Sequence, residues 1–343
     1  MPPLRSPVVD PVLTVAVPCF NVAGFLPTAL SGLTDLGPDL EVLVVDDGST
    51  DTTASLADQY AARHPGTIRV IHQPNRGHGG AVNAALDQAA GTYFKVLDAD
   101  DSLDRTALAG VLVLLRHLQT SGGIDLLISN YVFESVKRRS NRTVRFTNAL
   151  PDGRVFSWSE VGRFKAGQFL MMHALAGRSD LLRQAGFRLP EKTYYADHMF
   201  VAQVLPLTRR LYYSDTDLYR YRIGHSWQSV SHSHMIQRLD QQLEIARQVV
   251  DCLPDPEAVS RPLYNYLVHH ADILCALTSA LLSESDLTGL RPAFWEHLAG
   301  TNPALYRRLR RRLASRLSNL PGKAGRRVAG ITHRQIRRTV GFS

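Results

Sequence analysis

The chain has 343 residues, 44% of them apolar and 20% charged, with a formal charge of +8. That length and balance exclude a disordered chain and leave room for one large or two modest domains with real cores. Cys19, Cys252 and Cys275 are far apart with no C-x-x-C spacing, which argues against a disulfide framework or a zinc site and fits a reducing cytoplasm.

The N-terminus Met1-Pro2-Pro3-Leu4-Arg5-Ser6 lacks the apolar core of a signal peptide. No stretch approaches 18 uninterrupted apolar residues, so no membrane span is predicted. The charge is unevenly spread. From Pro303 onward there are twelve Lys or Arg and no Asp or Glu, which leaves the remainder at a net −4.

Val12–Val17 reads as a first buried strand stopped by Pro18, and Asn21–Gly24 as a turn into a helix ending near Ser31-Gly32. Leu40–Val45 is a second strand running into Asp46-Asp47-Gly48-Ser49-Thr50-Asp51, whose last residues can cap a helix through Arg63. Thr67–Ile71 is a third strand, Gln73–Gly80 a loop, and Ala81–Ala90 a helix. Tyr93–Leu97 is a fourth strand. Strands alternating with helices at this spacing indicate a mostly parallel sheet, whose ligands sit beyond the carboxyl ends of the strands. Pro18, Asp46–Asp47, Asn75–His78 and Asp98–Asp101 all fall at such ends.

Beyond these come a strand at Asp125–Tyr131, an edge strand at Thr143–Phe146 and a helix at Ser179–Ala185. An apolar helix reaches Leu205, and Arg210–Tyr213 and Leu218–Arg222 read as two strands. Helical patterns then cover His232–Leu253 and Leu263–Leu282.

The densest chemistry lies in Asp98-Ala99-Asp100-Asp101, three carboxylates in four positions after an apolar strand. Such oxygens can grip a hard divalent cation together with substrate phosphates. The competing reading is a cap for the next helix, since Asp and Ser favour that position. Neither G-x-G-x-x-G after the first strand nor G-x-x-x-x-G-K-[ST] occurs anywhere, which lowers dinucleotide oxidoreductases and P-loop enzymes.

Three stretches in register carry a resemblance. Val15-Ala16-Val17-Pro18-Cys19-Phe20-Asn21, Val44-Val45-Asp46-Asp47-Gly48-Ser49-Thr50-Asp51 and Gly91-Thr92-Tyr93-Phe94-Lys95-Val96-Leu97-Asp98-Ala99-Asp100-Asp101 resemble the family 2 glycosyltransferases, in order and spacing. The resemblance covers roughly residues 10–230. It implies an α/β fold of the GT-A type, with a mostly parallel central sheet, and inverting, non-processive sugar transfer from a nucleotide diphosphate donor to a hydroxyl, with Mn²⁺ or Mg²⁺.

It also implies residue roles. Asp46 and Asp47 would hold the nucleoside, and Asp100 with Asp98 the metal, Asp98 and Ala99 also touching the donor. Pro18, Phe20 and Asn21 would line the donor pocket, with Asn75, Arg76, Gly77, His78, Gly79 and Asn83. Val82 stands where relatives often carry arginine, so Arg76 is the candidate guanidinium. Asp197, in Tyr195-Ala196-Asp197-His198, would be the base, with Ala196 replacing a frequent Glu. Arg222, Ser229 and Ser231 would close over the diphosphate, and Asp101 is left free to cap. The Gln-x-x-Arg-Trp signature of processive members is absent.

The expected layout is a catalytic domain over residues 1–230, a helical region over 231–300 and a basic tail over 301–343. In the tail, Leu309, Leu313 and Leu317 recur at i, i+4 and i+8 among arginines, a face that can lie on an anionic membrane. A solvated tail and nucleic-acid binding compete, the latter not expected. These features point to a UDP-sugar transferase acting on a cell-envelope glycan or lipid-linked acceptor, cytoplasmic and peripheral on the inner face of the plasma membrane. A sugar-phosphate nucleotidyltransferase and a non-catalytic membrane or glycan-binding module are the alternatives.

Overall fold

The computed structural model describes residues 10–135, 141–165, 167–223, 232–285, 289–311, 313–320 and 322–340. Strand and helix alternate first: β1 (Leu13–Cys19), α1 (Leu26–Ser31), β2 (Leu40–Asp46), α2 (Thr53–Arg63), β3 (Ile68–His72), α3 (Gly77–Gln88), β4 (Tyr93–Val96), β5 (Ser102–Leu103) and α4 (Arg105–Thr120). Next come β6 (Leu126–Ser135), β7 (Arg142–Val144), β8 (Val155–Phe156), β9 (Leu175–Arg178), α5 (Ser179–Gln184), α6 (Asp197–Leu207) and β10 (Leu211–Ile223). Helices follow: α7 (His232–Gln237), α8 (Leu239–Asp251), α9 (Arg261–Glu284), α10 (Leu290–Thr301), α11 (Pro303–Arg310), α12 (Leu313–Ser318) and α13 (Gly322–Val340).

The sheet order is β3-β2-β1-β4-β9-β6-β10-β5, with β7 on β6 and β8 on β10. β1 to β4 pair in parallel, and so do β6 and β10. β9 runs against both β4 and β6, so those six strands all point one way. The expected α/β sheet followed by C-terminal helices is therefore present. β1, β2 and β4 bury every residue, as central strands covered on both faces do. The chain spreads from β1 to β2 to β3, then places β4 on the other side of β1. That reversal is a switch point, where loops diverge and leave a crevice.

Pro18 does not stop the first strand, which continues to Cys19 with Pro18 beside Val45. The Ala16 carbonyl faces β4 and accepts from Leu97 N–H, whereas the Cys19 carbonyl faces β2 and accepts from Asp47 N–H. Alternation turns Pro18 toward β4, whose pairing with β1 has already ended at Val96, so no ladder donor is lost. Similarly, α3 starts at Gly77 rather than Ala81. The Asp47 carboxylate accepts from the backbone N–H groups of Arg76 (2.8 Å) and Gly77 (2.7 Å) and so anchors the turn that opens the helix.

The two strands expected at 210–222 are one. β10 absorbs Asp215 to Asp217 through register shifts against β6. Asn130 Nδ2 donates to both carboxylates (2.7 and 2.9 Å), and Arg145 pairs with both. The helix expected over His232–Leu253 is divided at Arg238 into α7 and α8.

The C-terminal helices build a second part of the core around Leu243, Ala246 and Val250 of α8 and Leu267, Ala271 and Leu274 of α9. By length and composition Arg261–Ser283 is apolar enough to cross a membrane, yet 89% of its most apolar 18-residue window is buried inside the fold. The expected tail face is not formed. Leu309 of α11 is buried, whereas Leu313 on the separate helix α12 is 69% exposed.

The α4 cap is Asp104 rather than Asp101. Asp104 Oδ1 accepts from Ala107 N–H at 3.0 Å, and the carboxylate also meets Arg220. Asp104→Ala should destabilise the full chain by about 1 kcal/mol in chemical denaturation. Asp104→Ser keeps a cap acceptor and should recover most of that, because the partly exposed Arg220 pair adds little. An unchanged midpoint for Asp104→Ala would remove the cap from this account.

Candidate active site

The β2 end supplies Asp46 and Asp47, both almost fully buried. Asp46 Oδ1 accepts from Ser49 N–H at 3.1 Å, and its Oδ2 lies 3.0 Å from His72 Nδ1. Burial pushes the Asp46 carboxyl up, but the hydrogen bonds from Ser49 and His72 outweigh it and leave it below its ordinary value. Asp47 is already engaged by Gln73 and by the two α3 amides. Asn21, with φ +54°, ties the β1 loop to this turn by accepting from Thr50 N–H at 2.8 Å. Phe20, 47% exposed, and Asn75, also exposed, stand on the same rim.

The β4 end holds the acid cluster. His78 Nε2 on α3 lies 2.8 Å from Asp98 Oδ1, and His173 Nε2 lies 3.5 Å from Asp98 Oδ2. Burial alone would raise the Asp98 carboxyl; the imidazoles of His173 and His78 outweigh it and hold Asp98 well below the carboxylate range. Asp101 is fully buried. It accepts from Tyr219 OH (2.7 Å) and Arg222 N–H (2.8 Å), while burial and the charges of Asp100 and Asp98 push it well above its ordinary value. Asp101 is therefore an anchor for β10, not a cap. Asp100 is half-exposed on the same turn.

Two buried groups here were not expected from sequence. His173 sits in a 3₁₀ turn at Met172–Ala174, stacked on Tyr221 and edge-on to Tyr219. Lys95 is fully buried beneath the cluster. Its Nζ donates to the carbonyls of His173 (2.6 Å) and Leu175 (3.4 Å), and burial draws it down to about 7 against the pull of Asp98. Lysine inside an apolar strand was the available signal for it; His173 had none, because Leu170-Met171-Met172-His173-Ala174-Leu175 reads as core.

The donors fit a divalent cation. Asp98, Asp101 and His173 place ligand atoms within 4.8 Å of one another. Neither ring nitrogen of His173 makes a hydrogen bond although the residue is 4% exposed. Its 3.5 Å separation from Asp98 is too wide for a good hydrogen bond, and suits two ligands on one ion at about 2.0–2.2 Å each.

Asp197 opens α6 and reaches the same rim. Burial pulls His78 down, but the hydrogen bond to Asp98 and the charges of Asp98, Asp197 and Asp100 together raise it. Lys192 and Tyr195, at φ +51° and +65°, shape the turn before Asp197. Non-glycine residues in that region are uncommon and cluster at functional sites. This turn is clamped to α3. Asn83 spends its amide on Leu189, donating to the carbonyl and accepting from the N–H, both at 2.9 Å. Gly79 lies so close that an added Cβ would meet the Pro190 carbonyl oxygen at 2.1 Å. Asn83 is thus scaffold rather than pocket lining, and the Arg76 guanidinium is paired with Glu191. Arg222 enters the site through its backbone N–H to Asp101. Ser229 and Ser231 lie outside the described residues.

Residues 14–175 match the family model for glycosyl transferase family 2. That segment is a family 2 glycosyltransferase domain. EpsH of Bacillus subtilis (strain 168), named as a glycosyltransferase, is 28% identical over 229 residues. That alignment covers 62% of this chain and 61% of EpsH, so the chain spans less than two thirds of that relative. Among solved structures, S. aureus TarS 1–349 in complex with UDP-GlcNAc superposes with a TM-score of 0.60 at 19% identity, covering 95% of this chain and 90% of TarS. The mannosyltransferase PcManGT of Pyrobaculum calidifontis, in complex with GDP-Man and Mn²⁺, reaches 0.53 at 20% identity over 95% and 87%. The shared architecture is the GT-A fold.

His72 reports on the β2 end of the site through its contact with Asp46. Hydrogen bonding to Asp46 raises its pKa against a burial effect that lowers it, with Asp58 adding to the rise. Its contribution to stability is therefore complete below its unfolded value near 6.5 and fades as pH climbs through the raised folded value. Two-dimensional NMR titration should place the His72 midpoint above 6.5, and Asp46→Asn should lower it. A midpoint at or below 6.5 in the wild-type chain would contradict the pair.

Proposed function

We propose that the chain is a metal-dependent, inverting glycosyltransferase moving a sugar from a nucleotide diphosphate donor, a UDP-sugar, to a hydroxyl of a cell-envelope glycan or lipid-linked acceptor. The supporting observation is the convergence of Asp46, the Asp98–Asp101 cluster and Asp197 around one switch-point crevice in a chain that carries the family's domain. TarS with UDP-GlcNAc and PcManGT with GDP-Man and Mn²⁺ lend the donor class and the metal.

Asp46 and Asp47 take the nucleoside in this reading, because a carboxylate accepts from an imide N–H or a ribose hydroxyl. Phe20, Asn21 and Asn75, with Pro18, Gly77, His78, Gly79 and Ala99 behind them, line the donor side. Asp98 and Asp100 would hold the cation and His173 would join them, while Asp101, in the same cluster, stays with Tyr219 and the Arg222 amide. Carboxylates suit Mg²⁺ and Mn²⁺, and an imidazole among them favours Mn²⁺. Bound there, the cation would neutralise charge developing on the leaving diphosphate. Arg222, Ser229 and Ser231 offer donors to phosphate oxygens.

Asp197 is the general base. Its carboxylate takes the acceptor's hydroxyl proton as that oxygen bonds to the anomeric carbon, while the bond from that carbon to the diphosphate oxygen breaks on the opposite face. The sugar inverts. Asp197 also lines a small, partly open cavity of about 30 Å³ with Phe169, Met171, His198, Val201, His270 and Ile273, apolar and imidazole groups that flank the base on the α9 side. The work is placed at the cytoplasmic side, with the chain peripheral on the inner face of the plasma membrane.

Titration calorimetry should show UDP binding that strengthens with Mn²⁺ in the wild-type chain and loses that gain in Asp100→Ala. Asp197→Asn should bind UDP normally while transfer falls by about 10²–10⁴. Metal-independent UDP binding would overturn the cation assignment. Full activity in Asp197→Asn would return the base to an open question. No UDP binding at all would favour a non-catalytic module.

A further inference from the structure

The described part of residues 303–340 presents two unlike faces. The inner face is closed: Leu305, Leu309, Ala329, Thr332 and His333 are buried, and α13 lies along α9. The outer face is neither closed nor neutralised. Leu313, Leu320 and Ile331 are 69%, 40% and 58% exposed. Among the described residues, the exposed arginines at 307, 311, 316, 327 and 334 make no ion pair with an acidic group, and residues 303–343 contain no Asp or Glu.

These residues are ordered by helix geometry. Arg327, Ile331 and Arg334 recur at i, i+4 and i+7 on α13, one stripe, while Ala329, Thr332 and His333 form the buried one. On α12, Leu313 and Arg316 stand at i and i+3. On α11 and its C-cap, Arg307, Arg308 and Arg311 with Ala304 line an open hollow of about 510 Å³. Clustered arginines without counter-charges repel one another, and aliphatic side chains left in water forgo hydrophobic stabilisation.

A soluble polyanion would relieve only the first cost. An anionic bilayer relieves both, because headgroup phosphates meet guanidinium groups and the acyl boundary accepts leucine and isoleucine. We propose that the outer face of α11–α13 is a docking surface for an anionic lipid bilayer. Arg307, Arg311, Arg316, Arg327 and Arg334 meet the headgroups, and Leu313, Leu320 and Ile331 enter the interface. This deepens the peripheral-membrane part of the reading above and changes its geometry. No helix peels away to insert, because the inner face belongs to the core. The surface stays folded and its arginine stripe does the docking.

Deleting residues 303–343 would strip Leu305, Leu309 and Ala329 from that core, so point variants of the full chain are used. In co-sedimentation, the wild-type chain should pellet with phosphatidylglycerol vesicles and stay in solution with phosphatidylcholine, the bound fraction falling as salt rises. Arg327→Glu with Arg334→Glu should weaken vesicle binding by about tenfold or more. Leu313→Ser with Ile331→Ser, which leaves the charge unchanged, should weaken it by about threefold or more. UDP binding in the same preparations should be unchanged, which certifies folding. Loss of UDP binding with intact pelleting in the wild-type chain would sink the transferase reading alone. No pelleting of the wild-type chain, or serine variants that bind like it while soluble polyphosphate competes, would overturn the bilayer proposal.

Discussion

Concentrating three carboxylates in four positions at the end of a buried strand is the constraint on which the rest of the site depends. Like charges this close cannot all stay ionised in a dry setting without compensation. The fold divides the burden. Asp98 is set between His78 and His173 and held low, while Asp101 is driven up and satisfied by Tyr219 and the Arg222 amide. Asp100 is only partly buried. The elements supplying these partners come from far apart in the chain: α3, the 173 turn, and β10. The acid cluster thereby gives the two halves of the sheet a common reason to meet where they do.

Lys95 makes the same point from below. β4 and β9 pair only through Tyr93 and Phe94, so the ladder has ended by Lys95. Its amine reaches the carbonyls of His173 and Leu175, groups that the lost pairing would leave without donors. Tyr219 adds an aromatic face 5.4 Å away. A buried lysine is costly by itself. Here it replaces a missing piece of sheet and fixes the backbone of the turn that aims His173.

What could be read in the sequence was the part with periodicity. β1, β2 and β4 are continuous apolar runs, and the polar turn Asp46–Asp51 announces α2, so the alternation and the four polar strand ends were legible. The misses share one cause: a tertiary partner decided the local state. Gly77 to Gly80 look like loop, but Asp47 amide contacts start a helix there. Asp101 looks like a cap until β10 claims it. Asp215 to Asp217 look like a strand break, yet Asn130 and Arg145 pay for a bulge within one strand. Asn83 reads as pocket lining, whereas Leu189 consumes its amide. In the tail, counting leucines found the wrong stripe, because the inner face of α11 and α13 is taken by the helical core.

Side chains from both sides of residue 230 meet beside Asp197. The family match ends at residue 175, before the α6 turn that carries Asp197. His270 and Ile273 of α9 help close the cavity beside that residue, and His270 lies 3.3 Å from His198, the neighbour of the candidate base. Burial, then the charges of His198 and His269, push His270 well below its usual range. The segment that matches the family supplies the β2 and β4 ends, whereas α6 and α9, outside it, help wall the cavity beside Asp197. A shared fold can hold one part of a crevice constant while the elements that wall another part differ. In this chain α9 builds part of that second wall.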